Sequence, residues 1–518
     1  MSRSEKSIKN LSTAIIGQGV GVVISFVTRI FFLKLLGSEY LGLNGLFVNI
    51  LSVLSLAELG VGEAITYSLY KPLAKKDITK CQMLMQLYKK VYTIIGLVII
   101  ILGLMITPFL SFLIKEMPNV SGINIIFILF VLNTAISYFF SYKRNLIIAD
   151  QKRYIATIYR YVFYAVLNII QIVYLAINKD YIGYLIIQII MTILENVLVS
   201  IKADKMYPYL KERKKVSLDK ETKAEIIKNT KAMMMHKVGG IVVSSTDNIL
   251  ISKFIGIIEV GIYSNYYLII NALNIVYAQL YSSIVASIGN LCIEGNKEEE
   301  YLVFKRIDFL GFWIYSFSSI CLASLLNPFI EIWVGSQYLF PFYVVLMITI
   351  NFYIYGMRKV NLTFKEATGL FYKDRWKAII EVVVNLIISI ILVKKLGVFG
   401  VFLGTFISSV TVCVWVEPYI LFKYIFNKSL KEYFIYYFKY MLVTVLIGTI
   451  IFILNLFVSF KNLVINFLVK SIISVIGSNL LLLLLFYKSD KFQYFYAIFK
   501  KYLRKIKEDI KKKNLYEI

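Results

Sequence analysis

Only four of the 518 residues are cysteine and one is histidine. Cys81, Cys292, Cys321 and Cys413 lie far apart and form no C-x-x-C pair, which excludes a disulfide framework and a zinc site. His236 cannot build a metal centre alone, so no resident metal or cofactor is expected. Seven prolines leave most helices free to run unbroken. No G-x-x-x-x-G-K-[ST] run occurs, which excludes ATP hydrolysis by a phosphate-binding loop of that kind. Polar sequence is scarce as well, and no polar stretch is long enough to fold as a soluble domain.

What is present is apolar. Hydrophobic residues make up 59% of the chain, well above the share in soluble domains, so most of the surface must be solvated by lipid. A window of about 20 residues finds fourteen candidate spans. They lie near 11–33, 41–67, 91–114, 120–142, 154–178, 181–201, 232–255, 260–289, 307–330, 339–357, 378–396, 399–422, 434–458 and 463–487. The first is too long for a signal-peptide core and is read as a retained helix.

The net charge of +26 does not point to nucleic acid, because the basic residues sit in short clusters between apolar runs. The clusters fall in alternate loops: Lys71–Lys90, Lys143–Arg153, Lys202–Lys231, Arg358–Lys377 and Lys423–Lys439, with both termini. The intervening loops carry little beyond Lys34, Lys115, Lys179, Lys253, Lys394, Lys395, Lys461 and Lys470. The positive-inside rule makes the basic face cytoplasmic and places both termini there. The expected fold class is therefore an all-α polytopic membrane protein of about fourteen transmembrane helices, in a bacterial cytoplasmic (inner) membrane.

An internal repeat organises the spans. Lys34-Leu35-Leu36-Gly37 before Leu41-Gly42-Leu43 returns as Lys253-Phe254-Ile255-Gly256 before Val260-Gly261-Ile262. Asn145-Leu146 is matched by Asn361-Leu362, and Asn168 and Gly183 by Asn385 and Gly400. Two pseudo-symmetric six-helix lobes follow, with two further C-terminal helices. The expected divisions are 1–201 (N-lobe), 202–231 (basic cytoplasmic linker), 232–422 (C-lobe), 423–487 (spans thirteen and fourteen) and 488–518 (basic cytoplasmic tail).

This organisation resembles the polysaccharide-transporter branch of the multidrug/oligosaccharidyl-lipid/polysaccharide flippase superfamily. Local pieces that carry the resemblance are Asn10-Leu11-Ser12-Thr13-Ala14, Leu59-Gly60-Val61-Gly62-Glu63-Ala64 and Ala367-Thr368-Gly369-Leu370-Phe371. The last continues through Asp374 to Leu396-Gly397-Val398-Phe399-Gly400-Val401-Phe402-Leu403-Gly404-Thr405. The resemblance implies a Wzx-type carrier of undecaprenyl-diphosphate-linked oligosaccharide units for capsule, O-antigen or exopolysaccharide. It also implies alternating access through a cavity lined chiefly by spans one, two, seven and eight. Membrane lipids and a polysaccharide polymerase are the other expected partners.

Ionisable groups within spans cost several kcal/mol unless paired or hydrated, so they mark the transport path. Arg29 lies roughly two turns inside the outer end of span one, at about 1.5 Å per residue. It is the candidate diphosphate ligand, with outer snorkelling as the structural alternative. The repeat aligns Thr28-Arg29 with Asp247-Asn248. Asp247 and Asn248 are thereby cavity candidates, and Arg29–Asp247 is an ion pair expected in one conformation. Glu58 and Glu63 lie beside Gly60 and Gly62, which mark either a helix that bends or a close helix packing. With Asp247 the two glutamates are the coupling or gating candidates for H+ or Na+. Lys237, next to His236, is a candidate for attracting the diphosphate. Tyr263, Tyr266, Tyr267, Tyr277 and Tyr281 recur along span eight, and Tyr263 and Tyr267 are taken as sugar-stacking candidates. Arg160 and Glu195 are expected to form a structural pair. Asp308, Glu381 and Glu417 are expected at the interface, and Tyr138, Tyr154, Tyr433, Tyr436 and Tyr437 in an aromatic belt.

Three other functions fit parts of the pattern. A cation-coupled drug antiporter of the same superfamily usually carries an acid in span one, where this chain offers Arg29. A lipid II flippase would differ in the lipid-linked sugar. A membrane polymerase or ligase needs acids or bases on a sizeable outer loop, and the outer loops here are short, so the chain is not expected to be an enzyme.

Overall fold

The computed structural model describes residues 3–58, 60–211 and 219–515, and every regular element among them is helical. Residue contacts divide the chain into two compact units, Met1–Ala272 with Arg375–Ser408, and Leu273–Asp374 with Ser409–Ile518. These units do not follow the expected divisions.

In the first unit, α1 (Arg3–Leu36) turns into α2 (Ser38–Leu54). A 3-10 turn over Ser55–Glu58 and a left-handed Gly60, φ 78°, separate α2 from α3 (Val61–Lys75). Glycine reaches that conformation without the Cβ clash other residues suffer, so the expected span 41–67 is two helices with a break between them. Next come α4 (Ile78–Ile106), α5 (Leu110–Leu113), α6 (Ile123–Ala149), α7 (Arg153–Asn178) and α8 (Tyr181–Met206). The Asp180 carboxylate caps α8 by accepting from the Ile182 and Gly183 N–H groups. Then α9 (Lys220–Phe254) leads into α10 (Ile257–Glu294), which passes into the second unit at Leu273.

The second unit continues with α11 (Lys297–Trp333) and α12 (Phe342–Thr368). The chain returns to the first unit for α13 (Arg375–Leu396) and α14 (Val398–Ser408). It ends in the second with α15 (Val414–Leu421), α16 (Leu430–Leu456), α17 (Leu463–Ile472), α18 (Ser478–Phe486) and α19 (Asp490–Leu515).

Twelve helical segments among the described residues are long and apolar enough to cross a membrane. The two other expected spans fall within α9 and α12, both helices. In α12, Asn351, Arg358 and Lys359 dilute the apolar run. An apolarity window is blind to helix that continues past the bilayer. The expected linker 202–231 is thus largely helix: its start belongs to α8, and Lys220 onward to α9, capped by Asp219 accepting from Thr222 N–H. The basic tail is likewise helical, as α19.

Several expected interfacial residues are interior instead. Glu417 is 1% exposed, and Arg358, expected in a loop, meets it with two hydrogen bonds of 2.8 and 3.0 Å between α12 and α15. Lys365 pairs with Asp374. Asp308 and Glu381 are also buried, Glu381 against Lys377 at 3.1 Å. Among the belt candidates, Tyr433 and Tyr437 are buried, and Tyr433 accepts from Asn361 at 3.0 Å. Helices extending beyond the predicted span ends carry these groups into packed contacts, where burial demands a partner.

Candidate functional site

A cavity of about 500 Å³ lies within the first unit. α1 contributes Ser25 and Arg29, α2 contributes Asn44 and Asn49, α9 contributes Ser245 and Asn248, and α10 contributes Tyr263, Ser264, Tyr267 and Asn271. These are the first, second, seventh and eighth of the expected spans. Among the described residues Arg29 is the single charged side chain in the lining; serine, asparagine and tyrosine supply most of the rest.

Arg29 reaches across to α10. Its Nη1 donates to Ser264 Oγ at 3.1 Å and Asn265 Oδ1 at 3.0 Å, both neutral acceptors. Among the described residues its Nε and Nη2 groups have no protein partner. A guanidinium has five donors in a fixed fork, so the unused part can take two oxygens of an anion side by side. Asn248 Oδ1 is also buried without a hydrogen bond, beside the same cavity.

Asp247 does not pair with Arg29 in this structure. It is buried on the other side of α9, where Thr405 Oγ1 donates to its Oδ1 at 3.2 Å and in turn accepts from Asn385 Nδ2 at 3.0 Å. The repeat explains the placement. Thr28, its counterpart in α1, donates to Asn168 Oδ1 at 2.8 Å, and Asn168 is the counterpart of Asn385. Position 28/247 therefore reaches the fifth helix of its lobe, directly in Thr28 and through Thr405 of α14 in Asp247, while position 29/248 faces the cavity. Asn248, not Asp247, is the repeat partner of Arg29 in the lining.

The remaining candidates divide. Tyr263 and Tyr267 line the cavity, with Tyr263 also packed on Phe402 at 4.8 Å. Tyr266 is fully buried, and Tyr277 and Tyr281 lie in the second unit against Ser318 and Tyr315. The side chains of Lys237 and His236 lie outside the described residues. Glu195 pairs with Arg144 at 2.6 Å, and Arg160 is exposed, which corrects the expected Arg160–Glu195 pair. Arg144 is on α6, packed along α8, whereas the Arg160 position on α7 turns outward.

Glu58 and Glu63 are not in the lining. Glu63 is exposed, whereas Glu58 sits at the helix break and accepts from Tyr92 at 2.5 Å and Tyr138 at 3.4 Å. Below the break, Tyr88 donates to the Gly62 carbonyl at 2.9 Å and accepts from Asn145 Nδ2 at 2.5 Å. Tyr88 and Tyr92 had no sequence signal beyond their spacing of four along α4, and Tyr138 belongs to this network rather than to the belt.

The non-basic end of the first unit is tightly closed. A Cβ on Gly42 would lie 1.9 Å from the Ile257 carbonyl oxygen, and one on Gly261 would lie 2.4 Å from that of Ser38. These two glycines are repeat mates, and no other residue allows so close a crossing. Nearby, Lys115 N–H donates to the Ser252 carbonyl at 3.0 Å and Ser252 Oγ to the Leu113 carbonyl at 2.9 Å. Lys253 Nζ sits 3.8 Å over the Phe112 ring.

Comparison with known proteins agrees with this geometry. The model of the family described as "Polysaccharide biosynthesis protein" matches residues 7–286. Among solved structures, the lipid II flippase MurJ in an inward closed conformation is similar over 92% of this chain and 99% of its own, at 16% identity and a TM-score of 0.64. An inward-facing multidrug resistance MATE family transporter of the MOP superfamily is similar over 80% of this chain and 96% of its own, at 15% identity and a TM-score of 0.60. An outward-facing transporter of that family matches at 13% identity over 81% of this chain and 96% of its own, with a TM-score of 0.53. No curated protein matches the sequence.

Proposed function

This chain belongs to the polysaccharide biosynthesis protein family and has the fold of MOP superfamily transporters, and from that premise we propose that it is a flippase that moves undecaprenyl-diphosphate-linked oligosaccharides across a bacterial cytoplasmic membrane. One observation carries the substrate class: a cavity lined by serine, asparagine and tyrosine has Arg29 as its one charged group among the described residues, with part of its fork unused. Hydroxyl and amide side chains suit sugar hydroxyls, and a guanidinium suits a diphosphate. A drug cation would meet an uncompensated positive charge in the same place.

In this reading the basic face is cytoplasmic, both termini included, and the closed end is outer. The substrate head enters from the cytoplasm, the diphosphate engages Arg29, and the prenyl chain stays in lipid. Separation of Gly42 from Ile257 and of Leu113 from Ser252 then opens the outer side. No covalent chemistry is involved. Asp247 and Glu58, each held by hydroxyl donors, are the groups through which H+ or Na+ couples to the change, and a downstream polymerase removes product.

The test is a cell depleted of the native protein and supplied with variants. Arg29→Gln should leave the lipid-linked unit accumulating on the cytoplasmic leaflet, with export reduced at least about tenfold, as expected for one lost charge-assisted contact of roughly 1.5–3 kcal/mol. Normal export by Arg29→Gln, at normal protein level, would remove the diphosphate assignment.

A further inference from the structure

We propose that the basic end of α3 carries a second site, which captures the phosphate-bearing head of the substrate before it reaches Arg29. The inference rests on the flippase reading above and adds a loading step to it. A separate cavity of about 640 Å³ lies there, lined by Tyr67, Ser68, Tyr70, Lys71, Lys75 and Lys80, with Asp77, Asp219 and Thr222 on its far rim.

The charges in this cavity are unevenly matched. Asp77 is engaged as the cap of α4, accepting from Lys80 N–H at 2.9 Å, and Asp219 caps α9 while lying 3.9 Å from Lys80 Nζ. Lys71 and Lys75 stand one helical turn apart, and neither has a carboxylate partner among the described residues. Like charges at that spacing repel by about 0.2–0.5 kcal/mol. A bound anion turns that repulsion into attraction.

Sugar-compatible groups surround the lysines. Pro72 supplies no N–H to the Ser68 carbonyl, and both residues lie in the cavity lining. Tyr67 and Tyr70 are 62% and 49% exposed and pack edge to face with ring centroids 6.1 Å apart. Each presents an apolar ring with a polar tip. Tyr67 follows Ser55, at the edge of the Arg29 cavity, by twelve positions, with the break at Gly60 between them.

Two sites of different chemistry make a workable relay. Exposed lysines are hydrated point charges that hold a diphosphate loosely and are screened by salt. Arg29, in a recessed cavity, holds it by geometry. The head group is attracted first by Lys71 and Lys75, then passed inward past the break at Gly60. Anionic phospholipid heads share the phosphate chemistry, so the test separates the two sources.

The experiment uses the full-length protein in nanodiscs of phosphatidylcholine, with a water-soluble short-chain prenyl diphosphate N-acetylhexosamine as probe, read by calorimetry. Lys71→Gln/Lys75→Gln should weaken binding about tenfold at low salt, whereas Lys71→Arg/Lys75→Arg should stay within about twofold of wild type. Arg29→Gln should keep low-salt binding at the capture site while losing flipping. Three results overturn the proposal: unchanged binding by the Gln pair, equal loss in Arg29→Gln, or an effect seen only in discs that contain phosphatidylglycerol. Protein that binds the probe through these lysines yet does not flip lipid-linked substrate would instead sink the flippase reading.

Discussion

An arginine in a membrane helix needs compensation, and Arg29 finds it in two neutral acceptors rather than a carboxylate. That choice keeps the cavity positive. Asn248→Asp, at the repeat position of Arg29, should therefore neutralise the cavity and lower transport at least about tenfold, with the protein still eluting as a single folded species by size exclusion. Wild-type transport by this variant would show that cavity charge does not select the substrate. The Arg358–Glu417 pair makes a different argument, because both partners are buried. Arg358→Met removes both guanidinium hydrogen bonds from the buried Glu417 carboxylate and should cost about 3–5 kcal/mol, while Arg358→Met combined with Glu417→Leu should recover most of it. Thermal unfolding in detergent reads both; an equally damaged double variant would show that the pair is not an isolated unit.

At the scale of elements, the proposed cycle turns on a break and a closure. α2 and α3 are separated at Gly60, whose left-handed conformation disfavours any side chain by roughly 1–2 kcal/mol. Glu58 and its tyrosine donors brace the break from α4 and α6. At the far end, Gly42 and Gly261 let α2 and α10 cross at backbone contact. Leu113→Cys with Ser252→Cys, in a background lacking the four native cysteines, should form a disulfide on oxidation and stop transport until reduced. Transport that continues with the bridge fully formed would mean that this closure does not open in the cycle.

Sequence legibility also varies by element. Apolar runs of about bilayer length and the alternation of basic loops were readable, because lipid imposes both. Helix beyond the bilayer, in α9, α12 and α19, carries no such signature. For that reason Glu417 and Asp308 were misplaced at the interface. Arg29 was legible as a lone charge in span one. The role given to Asp247 was not legible, since which of two adjacent residues faces the cavity depends on helix rotation set by packing. Tyr92 and Tyr138 gave no signal because tyrosine in this chain is common at span ends and inside spans alike.

At the scale of the whole molecule, the repeat is what makes a transporter from two sets of helices. Matched positions Thr28 and Asp247 tie their helices to Asn168 and to the Thr405–Asn385 pair, while matched Arg29 and Asn248 are left facing one cavity. The central claim is that this space carries a sugar diphosphate across the bilayer. The most direct measurement is transbilayer movement of a fluorescent undecaprenyl-diphosphate-linked oligosaccharide in liposomes holding the purified protein, with outer-leaflet substrate quenched chemically. The account predicts that quenching goes to completion with wild-type protein and stops near half with Arg29→Gln. Quenching that stops near half with both proteins, or reaches completion with both, would contradict it.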